Sequence, residues 1–468
     1  MSNNLLDQRA SSFVLWSPHQ PTAGPTLVLG KFQEGAPPTL TNKQRFDLKA
    51  VDGVSGLWSI AATDCSLRDG QVYHYWFEVD DTLPGQANPR ILVCDPMALT
   101  TDWRLCAENQ PSAVVMFSQG KLVPCDPDGS PVTNPEADAM KSLPTNNQMV
   151  IYELPEAWTR QPRGGGIERG VGTFRDIQAL VESDAEGANF SDLGVTARGN
   201  TYLLNLGINA VELLPPADRI FSRQWGYGTS HFLAPDFELG IPEGYTWPTA
   251  NADLRRLVGA FHRHGIRFFD DVVLGFAREG PYQHISFDEF HIQFDPSHPP
   301  NDPDAWSSRP NEVRHDWGSK LFRYVRQCHT YDPTDGTVHD HAPARAFMYT
   351  YVVRWMLDFH MDGLRLDSVE TVANWDFVGA FTSGARNAFR ARGQAQGIAQ
   401  NDADARFLSV GEELNLPLDL IRQGQVDALW NDNFRKFLRP ALLGQNADGE
   451  PSFEWTVRKA IVLSALRK

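Results

Sequence analysis

The stretch MDGLRLDSVETVANWDF, residues 361–377, decides the fold. Its centre, Leu364-Arg365-Leu366-Asp367, alternates apolar and charged side chains. That period of two reads as a strand with Arg365 and Asp367 on one face. The preceding segment, ARAFMYTYVVRWMLDFH (344–360), repeats Phe347, Tyr351, Trp355 and Phe359 every four residues, with Met348, Val352 and Met356 beside them. This is a helical period, and it stops at Asp362-Gly363. The following segment, NWDFVGAFTSGARNAF (374–389), reads as another helix with Asn374 as N-cap.

Outward from this helix–strand–helix unit the pattern repeats. Apolar strand-like runs lie at MVIYEL (149–154), INAVELLP (208–215), IRFFDDVVL (266–274), RFLSVGEEL (406–414) and VDALWN (426–431). ADLRRLVGAFHRHG (252–265) places Leu254, Leu257, Val258 and Phe261 on one helical face, with Gly265 as C-cap. Six strands, most of them separated by helices, predict an α/β fold whose parallel sheet is covered on both faces. A doubly wound sheet and a (β/α)8 TIM-type barrel both satisfy this. No Gly-x-Gly-x-x-Gly turn follows the first strand, which counts against a dinucleotide fold and favours the barrel, over residues 148–468. Residues 1–110 carry short apolar runs split by Gly, Pro, Asp and Asn, such as TLVLGKF (26–32) and VYHYWFEV (72–79), and predict a β-sandwich. Residues 111–147, with CDPDGSPVTNPEAD (125–138), read as linker or surface loop, and 276–342 as a polar insertion, either a lid over a cleft or a solvated loop.

Composition excludes several function classes. A formal net charge of −16 argues against nucleic-acid or anionic-membrane partners, which need clustered Lys and Arg. No apolar run is long enough to span a bilayer, and MSNNLLDQRASSFVLW has no secretory pattern, so a cytoplasmic location is expected. Five scattered cysteines read as free thiols. The histidines of the insertion (His284, His291, His298, His315, His329, His339, His341) show no compact ligand spacing, so no metal and no cofactor are expected. RGGGIERGVG (163–172) lacks the Lys-Ser/Thr ending of a phosphate cradle and reads as a loop.

In a parallel barrel the active site lies at the C-terminal strand ends. Those ends carry Asp270-Asp271, Arg365 with Asp367, Glu412-Glu413, and, in the last run, Asp427, Asn431 and Asp432. A guanidinium beside Asp367 would hold it ionised and oriented as a nucleophile. Glu412 on the neighbouring strand, close to that anion, would resist ionising and stay a proton donor. One ionised and one protonated carboxyl are what glycoside hydrolysis uses, and a spacing near the interstrand distance of about 5 Å gives retention. Arg365–Asp367 could equally be a structural ion pair; the succession of acidic strand ends favours a functional cluster.

With those residues in place, the second half resembles glycoside hydrolase family 13, the α-amylase family. DGLRLDSV (362–369) resembles the strand-four motif, which implies Asp367 as nucleophile and Arg365 two residues before it. FLSVGEEL (407–414) resembles the strand-five motif, which implies Glu412 as acid/base, with Glu413 the alternative. FFDDVVLGF (268–276) resembles the strand-three motif and puts Asp271 at its aspartate position. WGYGTSHFLAP (225–235) resembles the segment after strand two, with Tyr227 stacking on the sugar and Trp225 beside it. INAVELLPPAD and VDALWNDNF resemble the intracellular branches that include branching enzyme and maltooligosyltrehalose trehalohydrolase, which carry a starch-binding-type sandwich. The resemblance implies an α-glucan or maltooligosaccharide partner and retaining hydrolysis or transglycosylation. The alternative is a non-catalytic carbohydrate-binding protein on a degenerate barrel. Two departures motivate that alternative. Gly275 and Phe276 stand where the family's strand-three motif continues to Asn-His, so calcium is not expected there. No His-Asp pair follows residue 432, and strands seven and eight are not seen, so a fragment of a longer enzyme is expected.

Overall fold

The computed structural model describes residues 5–86, 89–132, 140–155, 172–182, 185–187, 202–220, 225–242, 244–293, 307–309, 312–313 and 319–464. Residues 163–171 of the glycine-rich stretch, and His298 and His315, lie outside the described residues.

Six strands form one parallel sheet in chain order: β1 (Ile151–Leu154), β2 (Ala210–Leu213), β3 (Arg267–Val273), β4 (Gly363–Asp367), β5 (Leu408–Gly411) and β6 (Ala428–Leu429). Each strand pairs only with its sequence neighbours, which is barrel order rather than the reversed order of a doubly wound sheet. The sheet is a curled half-barrel. The register brings Asp271 level with Arg365, and Arg365 level with Val410. Gly363 starts β4 because two strands and a ring converge there. A Cβ would lie 2.3 Å from the Phe269 ring and 2.5 Å from the Leu408 carbonyl oxygen.

Helices cover the outer face. In α1 (Ala250–Arg263) the stripe Leu254, Leu257, Val258 and Phe261 is buried, and the chain leaves through Gly265 at φ +70°. α2 (Pro343–Asp358) opens with proline in its first turn and buries Phe347, Met348, Tyr351, Val352, Trp355 and Met356. α3 (Trp375–Ala395) is capped by Asn374, whose side chain accepts from the Phe377 N–H at 3.0 Å. Asp362, just before β4, ties these layers together. It is buried and bonded to His262 of α1 at 2.7 Å and Arg392 of α3 at 2.5 Å. Burial pushes its carboxyl up, but His262, Arg392 and Arg267 outweigh burial and hold it well below the usual carboxylate range.

The N-terminal half is antiparallel. A three-stranded sheet (Ser12–Trp16, Leu57–Ala61, Lys49–Ala50) faces a seven-stranded one whose strand order runs from Thr39–Asp47 to Lys121–Val123. Phe13 and Leu15 of one sheet and Leu27, Leu29, Tyr75 and Phe77 of the other are buried, and the Phe13 and Tyr75 rings meet edge-on at 5.1 Å. The seven-stranded sheet includes Gln110–Ser118 and Lys121–Val123, within the stretch that the sequence reads as linker. Alternation there is blurred because Gln110–Val115 are buried continuously. No described helix is long and apolar enough to cross a membrane.

Candidate active site

Alternation along three strands sorts the acidic pairs. On β3, Asp270 points outward, where the Tyr351 hydroxyl of α2 donates to it at 2.8 Å. Asp271 points to the barrel axis and accepts from Arg365 Nη1 at 2.7 Å and from the Tyr227 hydroxyl at 2.8 Å. On β4, Leu364 and Leu366 are fully buried on the opposite face from Arg365 and Asp367, and Arg365 Nη1 also donates to Asp367 Oδ1 at 2.8 Å. After β5 the ladder continues through the Glu412 N–H to the Leu366 carbonyl. Glu412 Oε2 therefore reaches Arg365 Nη2 at 2.6 Å and the Ser368 N–H at 3.1 Å. Ser368 turns away in the left-handed region at φ 42°, which exposes that N–H to Glu412. Glu413 points the other way; it is buried and accepts from the Asn415 N–H at 3.1 Å.

The guanidinium of Arg365 is thus the hub. Its side chain is 2% exposed, lies 4.6 Å from the Trp430 ring and 5.4 Å from the Tyr227 ring, and serves three carboxyls. A fourth carboxyl, Glu212 on β2, lies 3.9 Å from Nε. Exposure divides the set. Asp271 is 0% exposed and Glu212 6%, whereas Asp367 is 13% and Glu412 21% exposed. The two carboxyls that reach solvent sit on the two terminal nitrogens of one guanidinium, above the two that do not.

One cation cannot neutralise four carboxyls in a buried site. Burial pushes the Asp367 carboxyl up, Asp271 and Glu412 add to this, and Arg365 opposes it. Glu212 and Asp271 are raised in the same way, burial first, again against Arg365. Arg365 itself is held charged by these anions despite its burial. The ionisation of Asp367 that Arg365 favours is thus opposed by burial and by the neighbouring anions. Burial and crowding of anions favour the protonated forms of Glu212, Asp271 and Asp367.

Other expected residues sort as follows. Tyr227 reaches the cluster; its hydroxyl is spent on Asp271, and burial raises its own pKa. Trp225 is 74% exposed, outside the hydrogen-bonded cluster. Asp271 has both oxygens engaged by protein, so it positions Arg365 and Tyr227 rather than facing a ligand. Phe276 is buried in a small apolar group with Val273, Ile292 and Leu321, against which Tyr227 packs. A side chain at Gly275 would meet Thr371 at 2.9 Å. In the last strand segment, Asp427 accepts from Arg386 at 2.6 Å, Asn431 caps the helix Asp432–Leu442, and Asp432 pairs with Lys436 at 3.1 Å. These three are structural there, while Trp430, between them, is the residue that meets Arg365. Glu212 and Trp430 escaped the sequence reading. The trace of Glu212 was a lone charge inside the apolar run AVELL. The insertion also differs from expectation, because ligand atoms of Asp332, His339 and His341 come within 4.8 Å of one another.

No protein-family model matches the chain. It is 28% identical over 232 residues to the 1,4-alpha-glucan branching enzyme GlgB of Rubrobacter xylanophilus, a match covering 49% of this chain and 24% of that protein. It is 30% identical over 283 residues to the 1,4-alpha-glucan branching enzyme GlgB 2 of Streptomyces avermitilis, covering 58% and 40%. The chain thus spans well under half the length of these relatives. The pullulanase type I of Bacillus subtilis, solved in complex with maltose, superposes with a TM-score of 0.58 at 20% identity, over 91% of this chain and 50% of that one. The chain thus resembles the branching enzymes of glycoside hydrolase family 13, the α-amylase family, and shares the fold of its pullulanases.

Proposed function

We propose that the chain carries the reaction centre of a retaining α-glucan glycosidase or transglycosidase, with Asp367 as nucleophile and Glu412 as acid/base. One observation carries this reading. Asp367 and Glu412 are the solvent-reaching carboxyls of the cluster, held side by side by Arg365. Arg365 occupies Asp367 Oδ1, which leaves Oδ2 for the anomeric carbon. Arg365 and the Ser368 N–H occupy Glu412 Oε2, which leaves Oε1 to carry the proton. In the first step the Asp367–C1 bond forms as the glycosidic C1–O bond breaks, and Glu412 protonates the departing oxygen. In the second, Glu412 takes a proton from the acceptor hydroxyl, whose oxygen displaces Asp367 from C1. Water as acceptor gives hydrolysis, and a glucan hydroxyl gives transfer.

The branching enzymes are named for 1,4-alpha-glucan and the pullulanase was solved with maltose, which supports an α-glucan as the proposed substrate class. Maltooligosaccharide binding and turnover by wild type and Asp367→Asn test the reading. The variant is expected to bind oligosaccharide as wild type does and to turn over none. Turnover by the variant at the wild-type rate would remove Asp367 from the nucleophile's role.

A further inference from the structure

A second constellation lies away from this site, on the hairpin Cys328–Tyr331 and Val338–His341. His339 and His341 are two apart on a strand, so they share a face. Each is fixed in the same way. His339 Nδ1 lies 3.2 Å from the Asp340 carbonyl, and His341 Nδ1 lies 3.1 Å from the His339 carbonyl. A proton on each Nδ1 satisfies these contacts and leaves Nε2 with a lone pair, the arrangement in which imidazole binds metal. The connecting turn, Asp332-Pro333-Thr334-Asp335-Gly336-Thr337, supplies the opposing oxygens. Asp332 Oδ1 accepts from the Thr334 N–H and hydroxyl, and Asp335 Oδ1 accepts from the Thr337 N–H and hydroxyl. This aims both Oδ2 atoms at His339 Nε2, at 3.4 Å from Asp332 and 3.3 Å from Asp335.

These separations suit a small tetrahedral ion. Two ligands at 2.0–2.1 Å from tetrahedral zinc stand roughly 3.3–3.4 Å apart. A protonated His339 could also pair with the two aspartates. That leaves His341 unexplained: its Nε2 is buried with no hydrogen-bond partner among the described residues, and its ring centroid is 5.2 Å from that of His339. One divalent cation answers both imidazoles and the Asp332 carboxylate, and two nitrogens with a carboxylate oxygen suit zinc or another late first-row ion better than calcium.

We propose that Asp332, His339 and His341 form a structural Zn2+ site that fastens this hairpin to the N-terminal sheets. The fastening has visible seams. The Tyr331 N–H donates to the Ser55 carbonyl at 2.9 Å, the Leu5 N–H to the Pro333 carbonyl at 3.2 Å, and the His341 ring stacks on Trp16 at 6.2 Å. α2 begins two residues beyond His341, so a metal here joins the N-terminal sheets to the barrel's helical layer.

Titration of EDTA-treated full chain with Co2+, then competition with Zn2+, tests this. One Co2+ per chain with the strong visible absorption of a four-coordinate ion is expected, displaced by Zn2+, and Zn2+ should raise the thermal midpoint. His339→Gln/His341→Gln should bind Co2+ more weakly by at least about 100-fold, beyond what loss of an outer partner costs. It should also lose the Zn2+-dependent rise in midpoint. His329→Gln, on the other face of the same hairpin, should behave as wild type. A double variant found unfolded by circular dichroism would be replaced by Asp332→Asn, which keeps the turn's Oδ1 acceptor and removes the anionic donor; it should bind at least tenfold more weakly. Equal Co2+ binding by wild type and the ligand variants, binding of Ca2+ in preference to Co2+ and Zn2+, or no binding by wild type would overturn the proposal.

Discussion

Replacing Arg365 by Met probes the cluster's electrostatics most sharply. The change keeps most of the stem volume and removes the charge. It deletes hydrogen bonds of 2.7, 2.8 and 2.6 Å to Asp271, Asp367 and Glu412, and the attraction on Glu212 at 3.9 Å. Removing one partner of a buried pair typically costs about 3–5 kcal/mol, because the remaining charge is left uncompensated. Here four carboxyls are left, so the upper end applies where they must ionise. They can escape by taking up protons, so the penalty is expected to shrink to about 1–2 kcal/mol in mild acid, the scale of a lost hydrogen bond. At roughly 1 °C per kcal/mol for a chain of this size, Arg365→Met should lower the thermal midpoint by about 3–5 °C at pH 8 and by half of that or less at pH 5.5. Arg365→Met/Asp271→Asn, which removes one charge of each sign, should recover part of the loss at pH 8 through coupling of about 0.5–3 kcal/mol. Scanning calorimetry of the three proteins at both pH values gives the answer. A penalty that is the same at pH 8 and pH 5.5, or under about 1 kcal/mol throughout, would refute the picture of one cation restraining four carboxyls.

Wild-type stability should itself fall as pH rises. The folded-state carboxyls of Glu212 and Asp271 are pushed up to about 7 and that of Asp367 to about 8. Unfolded carboxyls titrate near 4, so between about pH 4 and 8 the native chain binds more protons than the unfolded one. Their stabilising contribution is thus complete below pH 4 and is lost as pH climbs through 7–8; a midpoint that rises from pH 6 to pH 8 would contradict this. Gly363→Ala should destabilise by at least about 1–3 kcal/mol, since its Cβ would lie 2.3 Å from the Phe269 ring and 2.5 Å from a strand carbonyl. An unchanged unfolding midpoint would show that the two strands have room to part there.

The parallel strands were legible because both of their neighbours carried a helical period. Asn374 as N-cap and Gly265 as the helix exit could be read for the same reason: a cap acts within one turn of its own residue. Arg365 and Asp367 could be placed on one face by their spacing, but their surroundings could not. Glu212 comes from a strand about 150 positions earlier, and only the curl of the sheet brings it to Arg365. Asp427, Asn431 and Asp432 looked like site residues because they are acidic or amide-bearing near a strand end. Their partners, Arg386, the Phe434 N–H and Lys436, are helical and not visible in strand pattern. Strand 110–118 was missed because a stretch buried on both faces loses its alternation, and 121–123 because three residues are too few to show one. His339 and His341 looked spaced too loosely for a metal, since Asp332 reaches them only across a hairpin turn.

The most direct test of Asp367 as nucleophile is intact-mass spectrometry of Glu412→Gln after incubation with an α-glucosyl fluoride. Fluoride leaves without protonation, so the first step needs no acid, while the second still needs Glu412 as base. The chain should gain the mass of one anhydroglucose unit, mapped to Asp367, and Asp367→Asn/Glu412→Gln should gain nothing. An adduct on another residue, or an equal adduct in the double variant, would contradict Asp367 as the group that attacks the sugar.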